Sequence, residues 1–94
     1  MRRYYVAVCV PQVGGWRATF PDAPGCQVEA PSLDGTVLQA RFELASYALS
    51  LNGHAHEVLP PSRDLADIRS DEQWSATNAI DWPDAVITMI PLSV

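Results

Sequence analysis

The chain has 94 residues, of which 48% are hydrophobic and 18% charged, and its net charge is −5. This composition describes one packed domain and excludes a disordered chain. The acidic balance leaves no basic stripe for phosphates, which argues against direct nucleic-acid binding by this chain alone, and no apolar run approaches the ~20 residues that span a bilayer.

The opening "MRRYYVAVCV" faintly resembles a signal sequence, but it is short, is followed by Pro11 and has no small-residue cleavage site. A first strand over Tyr4 to Val10 explains it better. Tyr4, Val6, Val8 and Val10 share one face, Tyr5, Ala7 and Cys9 the other. Both faces are apolar, as in a central strand. Gly14-Gly15 then marks a hairpin turn. A second strand sets Trp16, Ala18 and Phe20 against Arg17 and Thr19. After the corner "PDAPG", a third strand sets Cys26, Val28 and Ala30 inward and Gln27 and Glu29 outward.

Pro31 ends the ladder and Ser32 caps a helix from Leu33 to Leu51, which stops at Asn52-Gly53. Gly35 weakens its first turn. Leu33, Val37, Ala40, Leu44, Ala48 and Leu51 form one stripe at helical spacing. Leu38, Phe42, Ala45 and Leu49 form a second, which is either additional core or a contact surface, with core preferred. A short second helix capped by Ser62 follows, then a polar, irregular surface segment from Ser70 to Pro83. The last strand runs from Asp84 to Pro91.

This order predicts an α+β fold (β-β-β-α-α-β). A three-stranded antiparallel meander is joined by a fourth strand, parallel to and beside the first, in the order three-two-one-four. The long helix covers one face. The other face, with Tyr5, Ala7, Cys9, Arg17, Thr19, Gln27 and Glu29, is expected to be an association surface. A chain this short buries a limited core, and self-association satisfies the apolar surface left over.

Five segments together resemble the HicB family of type II antitoxins. They are "YYVAVCV", "GGWRATFPD", "PDAPGC", "SLDGTVLQARFELASYAL" and "DAVITMIPLSV". The likeness covers nearly the whole chain, with Ala23 where leucine is common and Gly35 among expected acidic positions. The resemblance implies a truncated RNase H-like fold and a HicA-type toxin partner, a small basic ribonuclease that the antitoxin occludes. Residues 1–94 read as a single HicB-like domain, without the separate DNA-binding module of many relatives. Stand-alone relatives without a toxin suggest the alternative, a homo-oligomeric scaffold module.

Nothing in the sequence builds an enzyme. RNase H chemistry needs carboxylates converging on two metal ions, and the strand segments expected to carry them, Tyr4 to Val10, Trp16 to Phe20 and Ala85 to Ile90, have none. Asp22 and Asp34 lie in a turn and near a helix cap. His54, His56 and Glu57 have no further recognisable ligand. Cys26 falls on the apolar side of a strand, away from any base. Trp16, Trp74 and Trp82 lack the basic groove of a base-stacking platform. No catalytic residue, metal or cofactor is therefore expected. Two cysteines without an export signal point to reduced thiols in the cytoplasm. Asp22, Glu29 and Asp34, with Arg17 and Tyr5, are the expected partner contacts, and a homodimer the expected assembly.

Overall fold

The computed structural model describes residues 3–23, 25–50 and 62–92. Three strands come first: β1 (Arg3–Gln12), β2 (Gly15–Thr19) and β3 (Gln27–Ala30). The long helix α1 (Leu33–Ser50) is followed by two short ones, α2 (Leu65–Arg69) and α3 (Glu72–Thr77). A 3-10 turn at Trp82–Asp84 leads into β4 (Val86–Leu92). The sheet has the order β3-β2-β1-β4, and every pairing is antiparallel.

The register comes from the first hairpin. Gln12 pairs with Gly15, so Val13-Gly14 is the loop, with Gly14 left-handed at φ 83°. Gly15 is instead the first residue of β2. A Cβ there would strike the Ala30 carbonyl oxygen, with Pro31 Cα only 2.9 Å away. This loop pairs odd residues of β1 with even residues of β2, as in Cys9 with Ala18, and Ala18 pairs with Val28. Opposed residues share a face. Tyr5, Ala7 and Cys9 therefore lie with Ala18 and Val28 in the core under α1. Their expected place on the uncovered face is corrected: a slip of one residue moves a whole set across the sheet.

The corner after β2 is held by backbone bonds. Phe20 C=O accepts from Ala23 N–H at 3.2 Å, and Ala23 C=O from Cys26 N–H at 3.0 Å. Gly25 supplies φ 86°. At the start of α1, Gly35 N–H donates to Ser32 Oγ at 3.0 Å, and Thr36 Oγ1 donates to Ser32 C=O at 2.8 Å. Leu33, Val37, Ala40, Leu44 and Ala48 turn onto the sheet. Leu51 and the Asn52-Gly53 stop lie outside the described residues. Leu38, Phe42 and Leu49 are 53%, 63% and 65% exposed, so the second stripe is surface and not core. One helix on a small sheet can bury only one face.

The second sheet face is also covered. Leu65, Ile68, Trp74, Ile80, Trp82 and Ala85 pack on Val6, Val8, Val10 and Ile87. The stretch expected to be irregular surface is thus a second layer. The N-cap position of α2 is Asp64, not Ser62, with no side-chain bond to the helix, and that of α3 is Asp71, whose carboxylate accepts from Trp74 N–H. Ala79 then takes φ 54° and ends α3 in a Schellman turn. Ile80 N–H bonds Ser75 C=O at 2.9 Å, and Ala79 N–H bonds Ala76 C=O at 3.2 Å. That left-handed turn aims Ile80 at the sheet, which no helical period predicts.

This layer also sets the direction of β4. Arg63 bonds Asp22 at the corner leaving β2. Asn78 C=O accepts from Arg17 midway along β2. Asp81 and Asp84 border a groove with Pro11 and Gln12 at the far end of β1. The chain therefore crosses the second face from one end of the sheet to the other before β4 begins. That extra pass starts β4 beside Cys9 and ends it beside Arg3, antiparallel to β1. The expected parallel strand assumed a single helical return, and is corrected.

Two substitutions test this packing by urea or thermal melts. Leu44→Ala empties a fully buried site and is expected to cost about 3 kcal/mol. Ala79→Gly relieves the left-handed alanine and is expected to stabilise by about 1 kcal/mol.

Candidate partner-binding surface

The five expected contact residues do not share one surface. Tyr5 is fully buried beneath α1, because the register turns it to the core, and it is not available to a partner. Asp22 is 6% exposed. Its Oδ1 accepts from Arg63 Nε at 2.6 Å and its Oδ2 from the Arg63 backbone N–H at 2.7 Å. Arg63 Nη1 continues to Asp71 Oδ2 at 3.2 Å. Asp22 therefore clasps the β2–β3 corner to the second layer. Arg17 is half-buried, and one guanidinium nitrogen donates to Asn78 C=O at 2.6 Å. Glu29 and Asp34 are exposed, Glu29 on the face of the second layer and Asp34 in the first turn of α1.

The clasp orders its charges. Hydrogen bonding to Asp22 pushes the Arg63 pKa up. The Trp74 backbone N–H, and then Arg63, hold Asp71 below the ordinary carboxylate range. A lowered carboxylate stabilises the fold above its unfolded pKa, and that contribution fades as pH falls through the folded value.

Sequence reasoning missed the surface with the strongest charge. Residues 62–85 carry Asp64, Asp67, Asp71, Glu72, Asp81 and Asp84 against Arg63 and Arg69. All but Asp71 of these acids are exposed. Within this layer, Arg69 lies 5.4 Å from the Trp82 ring centroid, and Trp82 stands 6.3 Å from Trp74. Trp82 Nε1 donates to Ser75 Oγ at 3.2 Å. Arg69, Glu72, Ser75, Ile80 and Trp82 border an open groove of about 410 Å³. The result is an acidic surface with an apolar, aromatic floor, suited to a basic protein. The signal was present as a run of acids punctuated by tryptophans. Beyond the short helix, its lack of helical or strand period made Ser70 to Pro83 read as irregular surface.

A second surface, apolar apart from Arg41 at its border, is the outer stripe of α1. Leu38, Phe42 and Ala45, with Arg41 and Pro91 of β4, border a groove of about 390 Å³.

Cys9 and Cys26 are buried free thiols. Burial, and next the charge of Glu43, push Cys26 up to about 12, and burial also raises Cys9. His54, His56 and Glu57 lie outside the described residues. Among the described residues, no cluster of three or more His, Cys, Asp or Glu is placed to hold a metal ion. No helix among them is long and apolar enough to cross a membrane.

The fold is that of HicB antitoxin domains. A chain of a HicA3 and HicB3 toxin–antitoxin complex is similar over the full length of both chains, with TM-score 0.69 and 16% identity. The N-terminal domain of the Burkholderia pseudomallei antitoxin HicB is similar over the same extent, with TM-score 0.69 and 15% identity. An antitoxin HicB3 crystal structure gives TM-score 0.66 at 17% identity, over 96% of this chain and 60% of that one. No protein-family model matches the chain, and neither does any curated protein.

Two outcomes check the site's internal chemistry. Asp22→Ala leaves two Arg63 donors without their acceptor and is expected to cost about 1–3 kcal/mol in a urea melt, the exposed part of Arg63 limiting the loss. A raised thiol favours folding below its unfolded value of 9.0 and loses that contribution as pH rises towards about 12. Stability is therefore expected to fall above pH 9. In the folded protein at pH 8, both thiols should be silent to a colorimetric thiol reagent, and both should react once it is unfolded.

Proposed function

We propose that this chain is a non-catalytic antitoxin of the HicB type, which binds and occludes a small basic ribonuclease toxin of the HicA type in the cytoplasm. The observation that carries this reading is the full-length likeness to antitoxin chains, one of them from a structure of a toxin–antitoxin complex. The acidic second layer supplies the physical complement. Exposed acids accelerate encounter with a basic protein, and the aromatic floor between them slows its departure. Glu29 lies on the same side of the sheet and extends this surface. Asp34 stands on the α1 side and contributes only to long-range attraction. Arg17 supports the surface through Asn78. Occlusion requires no reacting group, only a cover over the ribonuclease site. The chain self-associates, as a dimer, while doing so.

The test is co-expression with the adjacent reading frame. A short basic protein should arrest growth when expressed alone, and this chain should restore it. Asp67→Lys combined with Glu72→Lys, both at exposed sites, should slow association at least tenfold at low salt and weaken rescue without lowering the melting temperature. Growth arrest that this chain does not relieve contradicts the proposal. An unrelated, harmless neighbour supports the alternative of a scaffold module acting through its own oligomer.

A further inference from the structure

Leu38, Phe42, Ala45 and Leu49 are four, three and four residues apart. This is the alternating spacing of a heptad seam, at which helices of two chains pack side by side. Between Leu38 and Leu49 the only charges are Arg41, which borders the groove of this stripe, and Glu43, which is not among its lining residues. Leu38, Phe42 and Leu49 are each more than half exposed, and Ala45 is partly so.

We infer that this stripe is the homodimer interface, with α1 packed antiparallel against α1 of a second copy. The occupant is identified by the symmetry of the stripe. A two-fold axis passing midway between Phe42 and Ala45 sets Phe42 against the partner's Ala45, and Leu38 against the partner's Leu49. Large meets small at the centre, and leucine meets leucine at both ends. Each contact is made twice, as an isologous interface requires. The seam runs about 16 Å along the helix, and the small Ala45 allows the axes to approach to about 8–10 Å.

Charge placement agrees. The acidic layer lies on the opposite sheet face from α1. Two copies joined through α1 keep their acidic surfaces pointing outward, separated by more than a Debye length of about 8–10 Å. The net charge of −5 therefore opposes this dimer little. The exposed parts of Leu38, Phe42 and Leu49 come to roughly 360 Å² per protomer at about 200 Å² per large side chain. A standard interface takes about 800 Å² per partner. Pro91 and the half-exposed Met89, on the neighbouring edge strand β4, extend the apolar surface. The dimer is accordingly a modest one.

This inference names the surface for the proposed self-association and is independent of any toxin, so it is tested on the chain alone. Sedimentation from 5 to 200 µM should show wild type passing to twice the monomer mass of 10.3 kDa. Phe42→Glu should remain monomeric with an unchanged far-ultraviolet circular dichroism spectrum. As a second measurement, an equimolar mixture of Leu38→Cys and Leu49→Cys chains should form a disulfide-linked pair on mild oxidation, the native thiols being buried. Leu38→Cys alone should form far less. A monomeric wild type, a dimeric Phe42→Glu, or preferential self-pairing of Leu38→Cys would each overturn the inference.

Discussion

The fold depends on β1 being buried on both faces. From Tyr5 to Val10 no residue is more than 6% exposed. A strand apolar on both sides needs a layer on each side, and α1 supplies only one. The second comes from residues 62–85, whose tryptophans, isoleucines and Leu65 cover the three valines. To lay it down, the chain must cross the sheet once more. That crossing determines the direction of β4, and it carries most of the protein's negative charge to one side.

Asp22 shows how the two layers are joined. Its carboxylate is buried, yet both oxygens are bonded to Arg63, at the start of the second layer. Burial of a charge is tolerated when its hydrogen-bonding capacity is met in this way. The corner from Phe20 to Cys26 is therefore a structural joint. Its aspartate anchors and its cysteine packs, and its thiol is held neutral by its surroundings.

Much of the sheet was legible in the sequence because its cues are local. The alternation in Gln27–Ala30, the doubly apolar β1 and the Ser32 cap each follow from neighbouring residues, and the order three-two-one-four follows from the meander. What was not legible depends on distant packing. The face of Tyr5 depends on hairpin register, and the parallel β4 followed from assuming one return pass. The second layer escaped notice because Trp74, Ile80 and Trp82 obey no period, and the left-handed Ala79 that aims Ile80 is invisible in sequence. The candidate site suffered most. Exposure was inferred for Tyr5 and Asp22 from position alone, whereas the acids that stand exposed on the second layer were divided among a short helix, a stretch read as irregular surface and the start of the last strand. On α1 the reverse held: the second stripe was visible, but its destination was not, since apolar spacing is the same for a core and for an interface.

The division of surfaces is the central claim: an acidic second layer facing a basic partner, and a mainly apolar α1 stripe facing a second copy. Hydrogen–deuterium exchange on this chain, with and without a small basic protein of the HicA type, reads both at once. The account predicts that binding slows exchange across residues 62–85 and leaves residues 38–49 unchanged. Slowed exchange confined to residues 38–49, with none across residues 62–85, would contradict it.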